Sequence, residues 1–161
     1  MSESGTAPIA TTAFIGLGSN LGDRQAMIEA ALGRIAAHQS IELTRYTELI
    51  ETAPWGVEDQ PLFLNAVAEI QTILAPLAVL RELKSIERDL GRRAGGPRWG
   101  PREIDLDVLL FGDQVVETSE LVVPHPQLCE RQFVLRQVIQ LDDRLIHPVH
   151  RVPLATFLQH A

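Results

Sequence analysis

An α+β fold is predicted by the way two hydrophobic periods take turns along the chain. Short apolar runs broken by glycine or alternating with polar residues mark strands, and two longer stretches repeat at helical spacing. Read in order, the first run is Thr11 to Gly18 (TTAFIGLG), a strand. A helix follows, with Leu21, Ile28, Leu32 and Ile35 as its apolar stripe and Asp23 or Asn20 as its cap. Ile41 to Ile50 reads as a strand, and TAPWGVEDQP, with two prolines and a glycine, as a loop. Phe63 to Thr72 alternates, placing Leu64, Ala66, Ala68 and Ile70 on one face. The clearest helix opens near Pro76, carries Leu80, Leu83, Ile86 and Leu90, and is expected to stop at Gly91. Ile104 to Phe111 is a further strand, ending in a turn at Gly112 and Asp113 from which Val115 and Val116 are expected to pair back as a hairpin arm. Helices near Glu130–Gln140 and Pro153–Gln159 end the chain. The order β-α-β-β-α-β is that of a ferredoxin-like sheet with flanking helices, here with a C-terminal hairpin and helix extension. Fold alone does not fix function.

The 161 residues suit one domain, and no repeat, low-complexity tract or linker divides them. Residues 1–10 read as a flexible lead-in and 11–161 as the single domain. A net charge of −7 argues against a general nucleic-acid or membrane-surface binder, so any anion site must come from a local basic cluster. The single Cys129 excludes an intrachain disulfide framework or a cysteine-rich zinc site, and suits a small core residue. The N-terminus has no basic segment followed by an apolar stretch, and no uninterrupted apolar run reaches membrane-spanning length. A cytoplasmic protein, a monomer without nucleic-acid or membrane partners, is the expectation.

Two negative charges stand inside the last long strand. Asp105 and Asp107 share one face, about 7 Å apart, while Ile104, Leu106, Val108 and Leu110 are expected on the other. Buried carboxylates need arginines or a cation. The preceding stretch, Gly91 to Arg102, supplies Arg92, Arg93, Arg98 and Arg102: four of the fourteen Lys and Arg residues in eleven positions, where an even spread gives about one. Its four glycines and two prolines oppose helix and strand alike. Arginines leading directly into paired carboxylates suit a polyphosphate with magnesium, because Mg²⁺ takes one or two carboxylates plus phosphate oxygens and arginine forks bind the rest. Phe63 and Asn65, also two apart on a strand beside the loop carrying Trp55, pair an aromatic with an amide and suit a nitrogen heterocycle.

Other motifs carry less. GLGSNLG (Gly16 to Gly22) lacks the dinucleotide spacing, because position 21 is Leu, and reads as a tight strand-to-helix turn. The histidines fit no zinc template. His147 and His150 read as structural or surface residues, whereas His125 is closely followed by Arg131 and Phe133.

The string Arg98-Trp99-Gly100-Pro101-Arg102-x-x-Asp105-Leu106-Asp107 resembles the signature of the 6-hydroxymethyl-7,8-dihydropterin pyrophosphokinase family of folate biosynthesis. Gly18-Ser19-Asn20-Leu21, Thr52-x-Pro54, Asp59-Gln60-Pro61-x-Phe63-x-Asn65, Ile86-Glu87 with Gly91-Arg92, and Pro124-His125 with Arg131 and Phe133 follow the family's order, so the resemblance runs from about Thr11 to Phe157. It implies a ferredoxin-like fold and transfer of diphosphate from ATP to the pterin alcohol, leaving AMP. By position, Asp105 and Asp107 would hold two Mg²⁺ ions, and Arg92 and Arg102 would bind the transferring group with Trp99 closing over the site. Lys84, Glu87, His125 and Arg131 fall near the nucleotide or reacting centre. Phe63 and Phe133 would sandwich the pterin, Asn65 would read its edge, and Thr52, Ala53, Pro54 and Trp55 would complete the pocket. The chain departs from the pattern at Ala94, where many members carry an arginine, and at Glu120 and Pro126, where some carry a basic residue and a tyrosine respectively.

Two other classes compete. One is a non-catalytic ferredoxin-like module binding nucleotide or metal; the other is a metal-dependent nuclease using the same aspartates. The acidic net charge counts against the nuclease. The aromatic and amide pair counts against a module for nucleotide alone.

Overall fold

The computed structural model describes residues 9–53, 62–92 and 104–159. Strand β1 (Thr11–Ser19) leads into helix α1 (Arg24–Ala36), then β2 (Ile41–Tyr46), β3 (Ile50–Thr52), β4 (Phe63–Thr72), helix α2 (Pro76–Arg92) and β5 (Asp105–Phe111). A short hairpin of β6 (Val116–Glu117) and β7 (Val122–Val123), helix α3 (Gln132–Leu141) and a 3₁₀ turn at Leu154–Phe157 complete the chain. The main sheet runs β2-β4-β1-β5, with every pairing antiparallel and β3 also paired to β4. This is the ferredoxin-like α+β arrangement.

The expected strand from Ile41 to Ile50 is two pieces of one edge. β2 pairs with the Ala68–Thr72 half of β4, and β3 with Phe63–Asn65. Thr47 spans the break: its N–H donates to the Val67 carbonyl at 2.9 Å, and its hydroxyl accepts from the Val67 N–H at 2.9 Å. A side chain thereby replaces a ladder bond.

The turn from β1 into α1 uses Gly22 in the left-handed region (φ 69°), and the side chain of Asp23, not Asn20, caps the helix by accepting from the Ala26 N–H at 3.1 Å. Leu21 precedes the helix, whose buried stripe is Ile28, Ala31, Leu32 and Ile35. In α2 the helix passes through Gly91 to Arg92, so Gly91 is not its stop. Val116 does not pair back on β5; it pairs with Val123 in a separate two-stranded sheet.

The sheet separates two apolar layers. One face packs Ile15, Leu17, Ala68, Ile70, Leu106 and Val108 against α1 and α2; the other packs Phe14, Val67, Leu109 and Leu110 against α3 and the 3₁₀ turn. A bulge alters the expected alternation in β5. Phe14 pairs with Leu110 and Ile15 with Val108, so Leu109 is an extra residue. Leu109 and Leu110 consequently lie on the same face, and Leu110 does not share the side of Ile104, Leu106 and Val108. Among the described residues, no helix is long and apolar enough to cross a membrane.

Candidate active site

Alternation along β1, β4 and β5 puts a row of functional groups on the α3 side of the sheet. Register aligns Asn65 of β4, Gly18 of β1 and Asp105 of β5 across the strands, with Val67, Gly16 and Asp107 in the neighbouring row. Gly16 and Gly18 therefore form a low floor between the Asn65 side and the aspartates. A Cβ at Gly18 would stand 3.1 Å from Asn65 Oδ1, so the amide lies over this floor because the glycine has no side chain. Two inter-strand spacings separate Asn65 from Asp105, about 10 Å. That span suits a flat bicyclic ring with one substituent.

A pocket opens above this floor. Thr52, Ala53, Phe63, Asn65 and Phe133, each named from the sequence as a ring-binding residue, line it together with Arg131, Asp105 and Asp107. The Asn65 amide is oriented by its own donor, since Nδ2 donates to Thr52 Oγ1 at 2.6 Å, leaving Oδ1 on the glycine side. A second pocket lies on the outer side of β5, lined by Leu80, Lys84, Val108, Glu120, Leu121 and His125, and it shares Asp107 with the first. Glu120, where an acid replaces the expected basic residue, sits on its wall 3.8 Å from Arg81.

The edge strand β5 is held from outside by two groups named in the sequence. Glu87, only 8% exposed, accepts from the Leu106 N–H at 2.7 Å and pairs with Lys84 at 3.2 Å. Its carboxylate thus occupies an edge N–H and lines neither pocket. Burial raises the Glu87 pKa, and the Leu106 hydrogen bond works against that rise. The His125 N–H donates to the Leu109 carbonyl at 2.9 Å, closing the edge further along. His125 Nδ1 accepts from the Gln127 N–H at 3.1 Å, so a neutral ring carries its proton on Nε2. Burial, and then the Arg131 charge, lower the His125 pKa and favour that neutral form.

Asp107 is the strained charge of the site. Burial, followed by repulsion from Asp105, pushes its pKa up from 3.8 to about 6, with Lys84 and Arg131 pulling the other way. The pair is costly as two bare anions. Among the described residues no group of three or more His, Cys, Asp or Glu is placed to hold a metal. Two carboxylates on a rigid strand nevertheless fit Mg²⁺, which takes its remaining ligands from phosphate and water.

Pro54, Trp55, Trp99 and Arg102 lie outside the described residues, as do Arg93, Ala94 and the side chain of Arg92. The sequence reading missed Gln137, which is buried on α3 and lines the first pocket. The available signal was its place four residues after Phe133, on the same helix face. The glycine floor is not evident from GLGSNLG alone, which reads as a turn; it emerges only from the pairing of β1 with β4 and β5.

Comparison with known proteins gives the family. A family model for 7,8-dihydro-6-hydroxymethylpterin-pyrophosphokinase (HPPK) matches residues 14–143. The chain is 39% identical over 146 residues to the 2-amino-4-hydroxy-6-hydroxymethyldihydropteridine pyrophosphokinase of Aquifex aeolicus, covering 91% of this chain and 89% of that one. It is 43% identical over 129 residues to the protein of the same name from Bacillus subtilis, covering 80% and 77%. In fold it is similar to the Plasmodium falciparum HPPK-DHPS wild type solved with pteroate, at a TM-score of 0.73 and 16% identity, covering 98% of this chain and 43% of that longer one. The chain belongs to the HPPK family and is a diphosphotransferase enzyme of that family.

Proposed function

We propose that this chain transfers diphosphate from ATP to 6-hydroxymethyl-7,8-dihydropterin, giving the pterin diphosphate and AMP, a step in folate synthesis. One observation carries the reading: Asp107 lies on the wall common to two pockets, beside Asp105 on a rigid strand. The pocket with Phe63, Asn65 and Phe133 suits the pterin, and the one with Lys84 and His125 suits the nucleotide. Chemistry then falls between them, at the aspartates.

In the reaction the hydroxymethyl oxygen bonds to the β-phosphorus and loses its proton to solvent. The bond from that phosphorus to the oxygen bridging the α-phosphate breaks, and AMP departs with the electron pair. Asp105 and Asp107 would hold two Mg²⁺ ions, which supply charge neutralisation and alignment of the attacking and leaving oxygens. Lys84 brings positive charge to the nucleotide pocket, and neutral His125 offers an Nε2–H donor there without adding charge. Arg131 brings its guanidinium to the aspartate end of the ring pocket. Phe63 and Phe133 hold the ring flat, and Asn65 reads its edge. Arg92 and Arg102 are assigned to the transferring group, and Trp99 to the closing of the site, by their sequence positions before β5. Residues 11–161 are read as one pyrophosphokinase domain, acting as a cytoplasmic monomer.

A coupled assay for AMP tests this. AMP formation requiring ATP, hydroxymethyldihydropterin and Mg²⁺ together is the expected result. ATP turnover independent of the pterin, or binding of both ligands without AMP, would overturn it.

A further inference from the structure

Gln137 sits beneath the ring pocket, 3% exposed, on the same face of α3 as Phe133 and one turn beyond it. Its Nε2 faces three acceptors: Thr47 Oγ1 at 3.3 Å, the Glu48 carbonyl at 3.4 Å and the Asn65 carbonyl at 3.2 Å. Two of these are backbone carbonyls, which can only accept, so the amide nitrogen must point at them. This fixes the other end of the amide. Gln137 Oε1 is buried and has no hydrogen-bond partner among the described residues. Buried acceptors in folded proteins are almost always satisfied, so an unpartnered one on a pocket-lining residue calls for a donor from what binds there, which must uncover the atom as it enters.

The register decides which end of the ligand this is. Gln137 holds Asn65 and the β2–β3 break, whereas the aspartates lie two strands away across the glycine floor. Resting on the pterin reading above, the hydroxymethyl group must point toward the aspartates, which sends the pyrimidine end of the ring toward Asn65 and Gln137. We infer that Gln137 is a specificity-determining residue whose Oε1 accepts an N–H of the amino-pyrimidine edge, while its Nε2 fixes Asn65 in register beside it. The pair then reads the same edge from a helix and a strand. A ligand presenting a carbonyl where pterin has its 2-amino group would set oxygen against oxygen and be rejected.

The test uses the full chain and two ligands, hydroxymethyldihydropterin and its 2-oxo counterpart, with affinities measured in the presence of a non-hydrolysable MgATP analogue. Gln137→Met keeps side-chain length and apolar bulk but removes the amide. The variant is expected to bind the pterin about tenfold more weakly and to lose most of the wild-type preference over the 2-oxo compound, with affinity for the nucleotide analogue unchanged. A merely structural brace would weaken both ring ligands alike and leave the preference intact, which would overturn the inference. In wild-type protein, free of any folding defect, the Gln137 side-chain carbonyl ¹³C resonance should move on adding pterin and not on adding nucleotide alone. An unmoved resonance would also overturn it. Failure of the wild type to bind the pterin at all would instead overturn the parent reading.

Discussion

Glu69, buried, and Asp107, half-buried, are carboxylates on the α3 side of the same sheet, two strands apart, and the protein treats them oppositely. Glu69 is answered from within: Arg45 reaches it at 2.6 Å and the Thr44 hydroxyl at 3.0 Å. Asp107 receives no hydrogen bond or close ion pair from the described residues, faces a second carboxylate two positions away, and has its pKa driven up to about 6. Among the described residues one acid is satisfied and the other is not, which marks Asp107 as a candidate for a role other than folding. Glu69 holds the β2 edge, whereas in the proposed reaction Asp107 would take a cation brought with phosphate.

The largest effect should come from removing the unanswered charge. Asp105→Asn or Asp107→Asn is expected to lower turnover by at least about 10²–10³-fold, measured as AMP release with Mg²⁺, because a ligand charge is lost where preorganisation matters most. Turnover within tenfold of wild type would break the contrast. The wall of the ring pocket comes next. Phe133→Ala should weaken pterin binding by about 1–3 kcal/mol with little change for ATP, read by calorimetry for each ligand. Equal losses for both would make Phe133 a core residue. The smallest effect belongs to the answered acid. Glu69→Gln should leave turnover per folded molecule unchanged and lower stability by about 1–2 kcal/mol, discounted because Arg45 is half exposed. Lost turnover without lost stability would erase the distinction between the two acids.

Much of this was legible in the sequence where the physics is local. Period-two and period-3.6 patterns placed β1, β4, α1 and α2, and the i, i+2 spacing put Asp105 beside Asp107 and Phe63 beside Asn65. What failed depends on partners distant in sequence. The β5 bulge at Leu109 is set by pairing with Phe14 and Ile15, so alternation within β5 alone sent Leu110 to the wrong face. Gly91 looked like a stop, yet the helix runs on to Arg92. Val116 has the same apolar character whether it pairs with β5 or with Val123; only the chain's path chooses. Gln137 was passed over because a polar residue on an amphipathic helix is ordinarily placed in water. Its burial follows from three acceptors contributed by Thr47, Glu48 and Asn65, far away along the chain.

The most direct test of the central claim is the pH dependence of apo stability in wild type and Asp107→Asn, measured with EDTA by denaturant unfolding between about pH 4 and pH 7.5. The folded-state pKa of Asp107 is raised from 3.8 to about 6, so between those values the folded protein holds more protons than the unfolded chain. The stability linked to that proton is fully present below the unfolded value and is lost as pH rises through about 6. Asparagine cannot ionise, so the variant should lack this loss. Near pH 7 it should equal or exceed wild type, by up to about 1–3 kcal/mol. A variant markedly less stable than wild type at neutral pH without magnesium would show Asp107 to be a structural acid like Glu69, and would contradict the account.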